Sequence, residues 1–143
     1  MRNIILLMGL ISFALCFDMN AQSQVDWLDI NEAQEKNRQS PKNLIVDFTA
    51  SWCGWCKKMD ATTFSNQKVA DILNSDFYAV KMDFESPETF MFDGNQYTAK
   101  SFAKKVGIEG LPTMVIISPD YKSFDKLAGY KKSKDFLKSI KSF

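Results

Sequence analysis

Histidine is missing from this sequence. That absence removes the commonest general base near neutral pH and the commonest metal ligand together. Cysteine is scarce, with only Cys16, Cys53 and Cys56 in 143 residues. Structural zinc takes four cysteine or histidine ligands, so zinc here would have to recruit carboxylates or a second molecule. Neither sign of charge is in excess, with 18 basic against 17 acidic side chains. That balance gives no reason to expect nucleic acid or an anionic membrane surface as partner. The longest apolar run, Ile4 to Phe17, has 14 residues, short of the ~18–20 that a spanning helix needs. No repeat, low-complexity tract or linker divides the chain, and its length suits one domain. An apolar share of 45% is enough for a core that needs no staples.

What the first residues do have is the pattern of an export signal. Arg2 gives a positive start, the apolar run follows, and Met19-Asn20-Ala21 offers a small residue for cleavage. This predicts a cleaved signal peptide over residues 1–21 and one domain over 22–143. The alternatives are an uncleaved anchor, or a lipid on Cys16, for which Leu15 is a poor preceding residue. Export implies a periplasmic or secreted protein in an oxidising compartment, where disulfides persist.

Cys53 and Cys56 would then be the only cysteines of the mature chain. They stand in Trp52-Cys53-Gly54-Trp55-Cys56-Lys57, directly after the strand-forming run Leu44-Ile45-Val46-Asp47-Phe48-Thr49. Two cysteines separated by two residues, where a strand hands over to a helix, form a redox-capable pair. As a purely structural staple the pair would be weak, because so short a loop removes little entropy from the unfolded chain.

In chain order, Asp29 can cap a helix running to about Gln39, and Ser40-Pro41 breaks it. Leu44 to Phe48 reads as a strand buried on both faces. Gly54 to about Ala61 should form a helix that Thr62-Thr63-Phe64 weakens, and Ser65 or Asn66 can cap a second one through Val69, Ile72 and Leu73. Phe77 to Phe84 is the next strand, and strand–helix–strand spacing implies a parallel pair. Asp93-Gly94-Asn95 between Phe90-Met91-Phe92 and Gln96-Tyr97 signals a hairpin. A helix from about Ala99 to Val106 stops at Gly107. Met114 to Ile117 is the strongest strand of the second half, Ser123 to Leu127 pairs back antiparallel, and Ser133 caps a final helix to about Lys141.

This order of elements, with four separated motifs, resembles the thioredoxin family. The motifs are Val46-Asp47-Phe48, Ala50-Ser51-Trp52-Cys53-Gly54-Trp55-Cys56-Lys57, Val80-Lys81-Met82-Asp83 and Gly107-Ile108-Glu109-Gly110-Leu111-Pro112-Thr113. The resemblance implies an α/β thioredoxin fold, a central mixed β-sheet flanked by helices, over nearly the whole mature chain. Cys56-Lys57-Lys58-Met59 with Thr63-Phe64-Ser65 and Val69 is similar to exported members, including the periplasmic domain of the transmembrane disulfide-reductase relay. Trp55 stands where thioredoxin usually has proline, and Phe90–Thr98 is an insertion relative to the minimal fold.

Cys53 at the amino end of a helix meets free N–H groups and the positive end of the helix dipole. Thiols so placed titrate at roughly 3.5–7.5 rather than about 8.5, which makes Cys53 the attacking thiolate. Cys56, one turn in, resolves the mixed disulfide. Asp47 is the candidate base for the Cys56 proton, since burial raises a carboxylate pKa; otherwise it is a buried, hydrogen-bonded structural group. Lys81 on the neighbouring strand is placed to pair with it. The resemblance implies a cis Leu111–Pro112 bond beside the cysteines, leaving the Leu111 backbone to pair with an extended client. Trp52, Gly54 and Trp55 complete the expected docking surface, with Trp52 alternatively a core residue. The 90–98 insertion either borders the site or is a hairpin without a role there.

The expected function is reduction of disulfides in client proteins, with a membrane or soluble thiol reductant recycling a monomeric enzyme. No cofactor beyond the Cys53–Cys56 disulfide, no metal and no nucleic acid is expected. Gly54-Trp55 lacks a positive group to stabilise the thiolate further, and Leu111 before the proline resembles reductive members. The alternatives are a disulfide oxidase or isomerase using the same pair, or a non-catalytic binding module.

Overall fold

The computed structural model describes residues 24–143. The expected signal peptide and Cys16 lie outside these residues.

Helix α1 (Ile30–Gln39) begins where Asp29 accepts a hydrogen bond from the Asn31 N–H at 2.7 Å, an N-cap that satisfies an otherwise unpaired donor. Strand β1 (Asn43–Thr49) follows and is buried through Leu44–Phe48. Beyond the turn at Ser51-Trp52, helix α2 (Gly54–Met59) starts. The chain then does not break at the two threonines; it continues as a π-helical segment, Asp60–Phe64. Thr62 donates back to the Lys58 carbonyl at 2.8 Å and Ser65 to that of Ala61 at 2.7 Å. Such back-bonding loosens the helical ladder without ending it. Asn66 caps α3 (Gln67–Asp76), whose buried face is Val69, Ala70 and Leu73.

Strand β2 (Phe77–Asp83) pairs parallel with β1, placing Asp47 opposite Lys81. Strands β3 (Thr89–Phe92) and β4 (Asn95–Thr98) form a separate hairpin that leads into α4 (Ala99–Lys105). Strand β5 (Thr113–Ile117) is antiparallel to β1, and β6 (Phe124–Ala128) is antiparallel to β5. The main sheet therefore runs β2-β1-β5-β6. The last helix, α5 (Ser133–Ile140), has Lys132 at its N-cap position without a side-chain cap. Ser133 is thus the first helical residue rather than the cap. Its hydroxyl donates instead to the Thr62 carbonyl at 3.1 Å, tying α5 to the π-helical segment.

Because strand side chains alternate, β1 divides the core in two. Leu44, Val46 and Phe48 face α1, α4 and the hairpin, in a cluster with Phe90, Phe92 and Phe102. Ile45 faces the opposite side, with Met59, Phe64, Leu73 and Phe136. Asp47 shares the parity of Ile45. It therefore lies on the sheet face covered by α2, the helix that carries the cysteines.

Candidate active site

The pair sits where β1 delivers the chain to the amino end of α2. Cys53 is the N-cap of that helix, and its Sγ accepts a hydrogen bond from the Cys56 N–H at 3.2 Å. The two sulfurs are joined in a disulfide. Both residues are buried, Cys53 at 5% and Cys56 at 3% exposure, beneath Ala50, Phe84 and Leu111. Trp52 and Trp55 are the reverse, at 63% and 56% exposed. Trp52 is therefore a surface residue, not core. Gly54 opens α2 with no neighbour within 4 Å of the position a Cβ would take.

Leu111–Pro112 is a cis peptide. The loop is fastened by the Gly129 N–H donating to the Pro112 carbonyl at 2.9 Å and Thr113 Oγ1 donating to the Gly110 carbonyl at 2.7 Å. Gly107, in the left-handed region at φ 72°, takes Lys126 Nζ on its carbonyl. A Cβ there would also meet that Nζ at 3.1 Å.

Asp47 is buried at 2% exposure, and Lys81 Nζ lies 3.1 Å from its Oδ2. Its Oδ1 has no hydrogen-bond partner among the described residues. Burial pushes the Asp47 pKa up to about 6; the Lys81 ammonium works against that rise, and the Asp60 carboxylate adds slightly to it. A carboxylate so tuned exchanges a proton near neutral pH.

Sequence reasoning missed three members of this neighbourhood. Asp60 also pairs with Lys81, so one ammonium bridges a buried and a half-exposed carboxylate. Trp27 lies under the same ammonium, its ring centroid 4.4 Å from Nζ. Tyr130 rests against Trp55 at 5.4 Å between centroids and meets Thr62 Oγ1 through its hydroxyl at 3.1 Å. Asp60 follows Cys53 by two helical turns, which is the one signal that could have exposed it. Trp27 and Tyr130 arrive through tertiary packing and leave no spacing signal.

The hairpin insertion packs away from the sulfurs. Phe90 meets Phe102 edge-to-face, Phe92 lies tilted against Phe102 and Tyr121, and Gln34 donates to the Met91 carbonyl at 2.8 Å. None of its residues is among those packed on the cysteine pair.

Residues 30–143 match the thioredoxin-like domain family. The chain belongs to that family. Thioredoxin H4 of Arabidopsis thaliana is 31% identical over 107 residues, 75% of this chain and 76% of the relative. Thiol:disulfide interchange protein DsbD of Campylobacter jejuni is 24% identical over 112 residues, 78% of this chain but 18% of the relative. The chain likewise spans only 13% of an uncharacterized Caenorhabditis elegans protein and 8% of human spermatogenesis-associated protein 20. Among solved structures, the oxidoreductase DsbH superposes with a TM-score of 0.69 at 21% identity, covering 85% of each chain. With β2-β1-β5-β6 at its centre, this is the thioredoxin fold, and its cysteine pair makes the chain a member of a thiol–disulfide oxidoreductase family.

Proposed function

We propose that this thioredoxin-like protein is exported and reduces disulfides in client proteins. The observation carrying the reading is the Cys53–Cys56 pair at the head of α2, over a sheet face holding the buried Asp47–Lys81 pair. In the reduced protein, the Cys53 thiolate attacks a client disulfide; a mixed disulfide forms and one client thiolate leaves. Cys56 gives its proton to Asp47 and attacks the Cys53 sulfur. The Cys53–Cys56 disulfide is remade and the second client thiolate is released. The client gains the two electrons that the dithiol loses.

The docking surface is supported on both sides of the pair. Leu111, in contact with the cysteines, makes no backbone hydrogen bond to another described residue, so its amide and carbonyl are available to an extended segment. Trp52 and Trp55, on either side of Cys53 in the chain, offer exposed rings. Export rests on the charged start and 14-residue apolar run of the sequence. Likeness to part of DsbD supports a membrane or soluble thiol donor as the recycling partner. Among the described residues no helix is long and apolar enough to cross a membrane.

Trapping tests the reading. A Cys56→Ala variant should hold clients covalently on Cys53, released by reductant, and Cys53→Ser should hold none and fail to reduce insulin. Equal turnover by the Cys53→Ser variant would overturn it. Direction is read from the midpoint potential: a value well above about −180 mV, that of protein disulfide isomerase, would contradict the reductive assignment.

A further inference from the structure

The outer surface of α2 beside the pair carries an arrangement that disulfide exchange does not itself require. Lys58 Nζ lies 4.8 Å from the centroid of the exposed Trp55 ring and 5.4 Å from that of Tyr130. The two rings face one another at 5.4 Å, and the Tyr130 hydroxyl is anchored on Thr62. The ammonium is thereby held over an aromatic shelf by cation–π attraction, while its stem covers apolar surface. No carboxylate of the described residues pairs with it.

The sequence neighbours of the shelf repeat the sign. Lys57 precedes Lys58, and Lys131 and Lys132 follow Tyr130. The nearest acidic residue in the sequence, Asp60, is already engaged by Lys81.

The geometry points to Lys58, Trp55 and Tyr130 as a specificity element that favours client segments with an Asp or Glu side chain near the disulfide cysteine. This rests on the oxidoreductase reading above and names the class of client. Lys58 stands five positions beyond Cys53 along the helix, an axial rise of about 7.5 Å. An extended client advances about 3.3 Å per residue. The acidic side chain therefore belongs two or three residues from the client cysteine. There the carboxylate meets the held ammonium while the client's apolar atoms lie on the two rings.

The test uses the prereduced protein in single turnover with two disulfide-linked peptides, differing only in Glu or Lys at the second and third positions around the cysteine. The exchange balances as dithiol plus peptide disulfide giving the Cys53–Cys56 disulfide plus two peptide thiols. The Glu peptide should react about two- to five-fold faster at low ionic strength, the range of an exposed ion pair, and the gap should close as salt is added. Lys58→Glu should invert the preference. Lys138→Glu, which makes the same change of net charge on α5, should keep it. Equal rates in the wild type, a preference that survives Lys58→Glu, or one lost equally in Lys138→Glu would overturn the inference while leaving the oxidoreductase reading in place. Reduction of neither peptide would overturn both.

Discussion

Among the described residues, Asp47 is the one whose ionisation burial makes expensive. It is buried, with one oxygen on Lys81 and the other without a hydrogen-bond partner among the described residues. Its pKa stands at about 6 against an ordinary 3.8. The folded state thus holds this proton more tightly than the unfolded chain. Stability from the protonated carboxyl is fully present below the unfolded value and is lost as pH rises from about 4 through about 6. At about 1.4 kcal/mol per unit, the cost at pH 7 is on the order of 3 kcal/mol. Asp47→Asn should therefore raise the unfolding free energy at pH 7 to 8, with the advantage shrinking toward pH 4. Denaturant titrations across that range check it, and equal gains at both ends would contradict it. The same variant should slow resolution of a mixed disulfide, since Cys56 loses its proton acceptor. Lys81→Met removes the charge that holds the Asp47 pKa down, so the pH dependence of resolution should shift upward in that variant. An unchanged profile would show that the ion pair does not tune the carboxylate.

At the scale of elements, most of the molecule was legible because its signals are local. Asp29 and Asn66 are caps, Leu44–Phe48 is a continuous buried run, and Asp93-Gly94 turns a hairpin with both residues at positive φ. The strand carrying Asp47 and the helix carrying the cysteines follow from that pattern alone. Two boundaries were not legible, for a common reason. The π-helical segment, loosened locally by Thr62 and Ser65, and the start of α5 are also tied to each other, Ser133 to Thr62 and Thr63 Oγ1 to the Lys131 carbonyl at 2.6 Å. Contacts spanning some 70 residues leave no periodicity to read. The same holds for Tyr130 against Trp55 in the site. The hairpin's contribution also became visible only through packing. Phe92 fills the space between Phe102 and Tyr121, so Phe92→Ala should lower the unfolding free energy by about 3–5 kcal/mol. Its effect on exchange by the folded protein should be small. A large loss of exchange at unchanged stability would place the hairpin in partner selection after all.

Across the whole molecule, two apolar clusters lie on opposite faces of one sheet. On the face that α2 covers, Lys81 joins Asp47 and Asp60 by ion pairs, and the cysteine pair stands at the head of that helix. The rigid sheet fixes Asp47 opposite Lys81 in register, while α2 presents Cys53 at its cap and Cys56 one turn in. The proposed exchange requires these two sulfurs to be unequal once reduced. Alkylation of the reduced protein from pH 4 to pH 10, with mass spectrometry assigning the modified residue, measures that inequality directly. Cys53 should react as a thiolate with an apparent pKa below about 7.5, and Cys56 should stay protected in the same range. Two cysteines reacting alike, each titrating near the free-thiol value of about 8.5, would contradict it.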